Sequence, residues 1–267
     1  MESGATQMGD TRFEVRTWFV RGRSVLLARA DFGALYVDYY LHFAQQGRRP
    51  ATENDQLLKD ALAALTLHAA SRPIAEMTAW TLSLQQPRVN LFVTSDSIHG
   101  RLIANLFTEH VKPREDNVFM SEVVDARNPL RRSTVNFKGD DLFAAVEEYY
   151  RRSEQRPARL FRCGPEDFAM VSAHPDYDQA WFDALTAEQV AKLAETETLR
   201  PLELRKYSYE CGCNQERLMA LLAPSMRQSP EELFGGQERV IAVCPRCGTR
   251  HNITREAMEA FLDIDRP

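Results

Sequence analysis

Two short stretches near the C-terminus carry residues that could do chemistry together. "YECGCNQERL", residues 209–218, holds Cys211 and Cys213 as Cys-x-Cys. "VCPRCGTR", residues 243–250, holds Cys244 and Cys247 as Cys-x-x-Cys. These are four of the five cysteines in the chain. A tetrahedral Zn2+ site needs four ligands converging at about 2.3 Å Zn–S distance, and two close pairs brought together by the intervening residues 214–243 can supply it. Gly248 after the second pair lets backbone amides approach the sulfurs, as in zinc-ribbon knuckles. The spacing also gives each cysteine a partner one or two residues away, so an oxidant could close a local disulfide in each pair and remove two ligands at a time. A thioredoxin-like role for Cys244-Pro-Arg-Cys247 is disfavoured. The strand-to-helix context is missing, and Cys211 and Cys213 would be left without a purpose.

Other candidates have plainer readings. Cys163, in "RLFRCG", is expected as a buried structural cysteine. His251 follows Cys247 by four residues, but four cysteines already fill a tetrahedron. His68 and His174 show no ligand spacing. Glu147, Glu148 and Glu154 fit a solvated helix face better than paired-carboxylate chemistry. Arg131-Arg132 and Arg151-Arg152 are short basic pairs, expected to be solvated. No phosphate-binding glycine loop is present, so neither ATP use nor an enzyme is expected.

Composition narrows the class. The chain has 267 residues, 44% hydrophobic and 27% charged, with a net charge of -5. That length can bury a core, and the charge gives no global field for nucleic acid. The most apolar run, residues 61–70, is too short to span a bilayer, which needs roughly 20 residues. No apolar leader is apparent, and a cytoplasmic protein with reduced thiols is expected, with no nucleic-acid or membrane partner.

The elements that must position the cysteines follow from pattern. Residues 31–46 and 55–70 read as helices, the first with Asp31 as its cap. Residues 77–84, 88–95, 101–108, 117–124 and 133–138 read as short strands in a sheet with antiparallel pairs. Residues 139–157 form a helix that ends before Pro157. Residues 158–164 and 167–173 pair as strands, and two helices follow, the second opened by a Thr186–Gln189 capping box. Residues 1–10 read as a frayed tail. The fold class is α+β: a large N-terminal domain with a mixed or antiparallel sheet and helices, then a helical linker region and a small C-terminal zinc-binding module. The expected boundaries are 11–195 for the core domain, 196–208 for a linker and 209–267 for the four-cysteine module. Within the module, Asn214 caps a helix over 214–222 and Ser229–Glu232 forms a capping box. Residues 238–243 and 249–254 form a hairpin, and Thr254 caps a closing helix.

This pattern resembles the thirty-three-kilodalton heat shock protein family of redox-regulated holdase chaperones. Cys-x-Cys and then Cys-x-x-Cys near the C-terminus carry the resemblance, together with "GDDLFAAVEEYYRRSEQRPA", residues 139–158. The resemblance implies one Zn2+ held in the reduced state by Cys211, Cys213, Cys244 and Cys247. It implies that oxidation pairs Cys211 with Cys213 and Cys244 with Cys247, releases the zinc and destabilises the linker. The active form would then hold unfolding client proteins, with a homodimer possible when oxidised. The alternative is a constitutive protein-binding module whose zinc is purely structural.

Overall fold

The computed structural model describes residues 13–125 and 130–264; the tail at 1–10 lies outside them. The described chain opens with a hairpin, β1 (Phe13–Val20) and β2 (Val25–Asp31), followed by α1 (Gly33–Gln45) and α2 (Thr52–Ala70). Five strands come next: β3 (Met77–Gln85), β4 (Arg88–Asp96), β5 (Arg101–Phe107), β6 (Asn117–Val124) and β7 (Arg131–Phe137). Helix α3 (Leu142–Tyr149) runs into a π-helical turn, Tyr150–Glu154, and then into β8 (Ala158–Arg162) and β9 (Asp167–Ala173). Short helices α4 (Gln179–Ala184), α5 (Ala187–Ala191) and α6 (Leu193–Thr196) lead to β10 (Leu199–Tyr209). The C-terminal module holds α7 (Gln215–Gln228), α8 (Pro230–Phe234), β11 (Arg239–Val243), β12 (Arg250–Thr254) and α9 (Arg255–Ile264).

All strands through β10 join one ten-stranded sheet in the order β7-β6-β3-β4-β5-β10-β1-β2-β9-β8. The period-2 burial of β3 and β4 turns Trp80, Leu82, Leu84, Val89, Leu91 and Val93 into the main core, where α2 packs on β4 and β5. Alanines at 61, 63, 64, 69 and 70 let that helix sit close to the sheet, and its last three turns are buried almost throughout. A second apolar cluster, around Leu27, Phe161, Val171 and Phe182, lies with the short helices α4–α6. The C-terminal module has a small core of its own around Leu218, Met226, Phe234, Ile253 and Met258.

Strand β10 is the main departure from expectation. Residues 196–208 read as a linker, yet most of them form the strand that joins the two halves of the sheet. β10 pairs antiparallel with all of β1, and parallel with β5 over Ser208 and Tyr209. Residues 200–204 are exposed, so no apolar alternation marks them as a strand. Backbone pairing holds them, helped by Arg205, whose guanidinium donates to the carbonyls of Ala69 and Arg72 at 2.7 Å each. Those carbonyls lie at the C-terminal end of α2, which lacks intrahelical donors and favours a cation. The helices expected over 176–199 are present, as α4–α6, whereas the linker expected at 196–208 is mostly strand and not helical.

Smaller differences have local causes. The hairpin β1–β2 carries no expected element, although it pairs locally over Arg16–Val20 and Val25–Arg29; β10 flanks its other edge. Asp31 ends β2 instead of capping α1, although its carboxylate still accepts from the Gly33 amide at 2.8 Å. Ser229 makes no side-chain cap bond to α8, where Pro230 takes the first helical position. Helix α7 continues past Pro224 to Gln228. Glu147 is not solvated: its carboxylate accepts from the Leu160 amide at 2.8 Å, and burial raises its pKa. Glu154 joins Arg72 and the Tyr149 hydroxyl, whereas Glu148 pairs with Arg151 and Arg152 on the surface. The Thr186–Gln189 capping box forms, as do the Asn214 and Thr254 caps.

Candidate metal centre

The first knuckle grows directly out of β10. The Glu210 amide donates to the Leu102 carbonyl at 2.8 Å, which carries the pairing with β5 one residue beyond the strand. Tyr209 is buried, and its hydroxyl donates to the Ala104 carbonyl at 3.0 Å. The chain then turns through Gly212 at φ 65°, the left-handed region that suits glycine, and Asn214 caps α7. This turn sets Cys211 and Cys213 side by side at the end of the sheet.

The second knuckle is the tip of the β11–β12 hairpin. The Cys244 amide donates to the Thr249 carbonyl at 2.9 Å, and the Gly248 amide donates to the Cys244 carbonyl at 2.8 Å. Gly248 sits at φ 80°. The tip reaches away from the module's own core. Cys211, Cys244 and Cys247 belong to the main apolar cluster with Tyr39, Phe43 and Tyr209, and Cys213 packs against it.

All four Sγ atoms lie within 4.8 Å of one another. Cys211 and Cys244 approach to 3.7 Å, and Cys213 and Cys247 to 3.6 Å. A tetrahedron with Zn–S bonds of about 2.3 Å has S···S edges of about 3.8 Å. The residues therefore fit a four-coordinate metal ion, with four soft donors already near its vertices. Cys247 is fully buried and Cys244 and Cys211 nearly so; Cys213 is half-buried.

The cluster concentrates negative charge on one sulfur, that of Cys247. Neighbouring thiols of Cys211 and Cys244 donate toward Cys247 and pull its pKa well below the thiol range. The same contacts push Cys211 up, and burial with the charge at Cys247 pushes Cys213 up to about 12. The Thr249 hydroxyl lies 3.1 Å from Cys247 Sγ, and His251 Nε2 lies 3.4 Å from Cys213 Sγ. From the N-terminal domain, His42 Nε2 lies 3.2 Å from the Cys247 carbonyl oxygen.

The other candidates separate from this centre. Cys163 follows β8, half-buried, with its amide bonded to the Asp167 carbonyl at 2.8 Å and its pKa raised by burial. His68 is buried beside Tyr150, and His174 packs against Phe19. His42, Arg48 and Arg101 reach the centre without any signal in their own sequence surroundings. They lie more than a hundred residues before the cysteines and are brought there by α1 and β5.

Fold and site together define an α+β protein with one large sheet and a C-terminal four-cysteine cluster competent for a metal. A family model described as Hsp33 protein matches residues 166–254. Curated relatives named 33 kDa chaperonin match parts of the chain. That of Lactobacillus delbrueckii subsp. bulgaricus is 28% identical over 93 residues, 35% of this chain and 32% of the relative. That of Nitrosococcus oceani is 25% identical over 159 residues, 52% of this chain and 55% of the relative. The Vibrio cholerae protein is 25% identical over 146 residues, 45% of this chain and 50% of the relative. The chain thus spans about a third to about half the length of these relatives, between 32% and 55%. The crystal structure of the 33 kDa chaperonin (HSP33) of Thermotoga maritima shares the fold, with a TM-score of 0.72 at 14% identity over 95% of this chain and 98% of that one. The likeness to Hsp33 proteins is therefore shown over residues 166–254, and the likeness of fold over nearly the whole chain.

Proposed function

We propose that the chain is a chaperone that holds unfolding proteins without ATP, and that its four cysteines are a thiol switch governing that activity. The observation that carries this reading is the convergence of four sulfurs within 4.8 Å where β10 meets the C-terminal module. The relatives' name, 33 kDa chaperonin, supports the chaperone part and is not the name of an enzyme. In the reduced protein, Cys211, Cys213, Cys244 and Cys247 would hold one Zn2+, which when bound ties the two knuckles together. Binding free energies for structural zinc are on the order of 10–16 kcal/mol, enough to decide whether so small a module stays folded.

Hydrogen peroxide takes two electrons from a pair of zinc-bound thiolates, forming one S–S bond as its O–O bond breaks, and two protons from solvent complete two waters. In this reading Cys211 pairs with Cys213, and Cys244 with Cys247. Both bonds together remove all four ligands, release the ion and free the module. Strand β10, whose residues 200–204 bury little, then loosens from the sheet. Apolar surface beneath the knuckles becomes available to client proteins. The protein is proposed to act in the cytoplasm, and a homodimer belongs to the oxidised state.

A second reading, a constitutive binding module with a structural zinc site, draws on the burial of Cys244 and Cys247, which limits oxidant access. Light scattering from a heat-unfolding client separates the two. Suppression of aggregation by oxidised protein alone supports the switch. Equal suppression by both forms supports the constitutive binder, and none by either form rejects the chaperone.

A further inference from the structure

Each knuckle has one left-handed glycine beside a cysteine, and each of those glycines is met by a guanidinium from the N-terminal domain. A Cβ on Gly212 would stand 2.7 Å from Arg101 Nη1, and a Cβ on Gly248 would collide with Arg48 Nη1. Glycine is thus needed twice at each knuckle, for the backbone conformation and to admit the arginine. Arg48 follows α1, and Arg101 opens β5. Both are held in place. Arg48 donates to Asn105 Oδ1 at 3.0 Å and to Gln46 Oε1 at 3.3 Å, with its guanidinium 5.0 Å from the Phe43 ring centre. Arg101 pairs at 3.5 Å with Glu210, the residue before Cys211.

The module answers with contacts of its own. Arg246 donates to Thr94 Oγ1 at 3.1 Å, and the Pro245 carbonyl accepts from Asn105 at 3.4 Å. The second knuckle therefore sits in a polar seat built by α1, β4 and β5. A divalent ion with four thiolates carries two net negative charges, which are unfavourable to bury without partners. Guanidiniums stand at both knuckles: Arg48 at the second, and at the first Arg101, which also pairs with Glu210, and Arg217, which donates to the Gly212 carbonyl at 2.6 Å.

We propose that Arg48 and Arg101 are positioning residues of the zinc centre: they seat the two knuckles against the N-terminal domain and raise the affinity for the metal. The inference rests on the reading that the four cysteines hold zinc. It also gives oxidation a second effect. Two disulfides carry no charge, so the step that removes the ligands also removes the charge that the arginines face.

The test is zinc affinity of the reduced full-length protein, measured by competition with a chromophoric chelator. Wild type should bind one zinc; failure to bind any would overturn the zinc reading itself. The double variant Arg48→Ala/Arg101→Ala should bind zinc about tenfold or more weakly, the usual scale for groups that support metal ligands. The Arg48→Lys/Arg101→Lys pair, which keeps charge without the fork, should recover part of the loss. Arg16→Ala, at a side chain 60% exposed on β1, should leave affinity unchanged. If far-UV CD shows that the double variant does not fold, the single alanine variants and the lysine pair carry the test. Wild-type affinity, within twofold, in every folded arginine variant would overturn the inference while leaving zinc binding intact.

Discussion

His251 Nε2 lies 3.4 Å from Cys213 Sγ, across the centre from its sequence neighbour Cys247. The β12 strand carries the imidazole back toward the first knuckle, beside the least buried of the four cysteines. Imidazole is an ordinary zinc ligand. Cys213→Ala should therefore keep zinc better than Cys247→Ala, with His251 moving into the vacated position. We expect the two variants to differ by about tenfold in affinity, roughly 1.4 kcal/mol. Equal loss in both, by chelator competition, would contradict this.

Accessibility orders the thiols. Cys163 and Cys213 are half-buried, whereas Cys211, Cys244 and Cys247 are buried. In zinc-free reduced protein, brief alkylation followed by peptide mass spectrometry should find Cys163 and Cys213 labelled first. Zinc should then protect Cys213 and leave Cys163 as it was. Protection of Cys163 by zinc would be the contrary result.

Arg205 ties β10 to α2. Arg205→Met keeps much of the stem but leaves the carbonyls of Ala69 and Arg72 without this donor. Hydrogen bonds from a charged group are worth about 1.5–3 kcal/mol each at most, so a loss of that order in unfolding free energy is expected. Hydrogen exchange over 199–209 should quicken while zinc stoichiometry stays at one. Unchanged exchange would mean that backbone pairing alone holds the strand.

His68 gives a pH dependence. Its ring is fully buried, Nδ1 lies 2.6 Å from the Tyr150 hydroxyl, and Nε2 meets no hydrogen-bond partner among the described residues. Burial holds its pKa well below the usual 6.5, and Arg72, Arg156 and Arg131 add to the effect. The unfolded chain takes up a proton near pH 6.5 that the folded chain refuses. Stability from this group is therefore full above that pH and falls as pH drops, by up to about 1.4 kcal/mol per unit until the folded pKa is reached. Denaturant melts between pH 7.5 and 5.5 should show a shallower fall for His68→Gln than for wild type. Parallel slopes would rule the contribution out.

What could be read from sequence was local. Asn214 and Thr186 cap helices because their side chains reach amides three residues on, and β3, with β4 less cleanly, shows its alternation within a single stretch. The two cysteine pairs are likewise short-range patterns. What could not be read depends on distant partners. β10 takes its place beside β1, nearly two hundred residues away, and buries too little in residues 200–204 to announce itself. His42, Arg48 and Arg101 meet the knuckles only after the whole sheet has formed, so nothing near them in sequence marks that role.

The proposed switch depends on the order of events at the four sulfurs. Zinc release, free-thiol count and client aggregation should be followed together while reduced protein is treated with peroxide under mild heating. The predicted result is one zinc released per chain as four thiols disappear, with suppression of aggregation appearing only after that release. Zinc retained through oxidation, or full suppression by the reduced zinc-loaded protein, would contradict it.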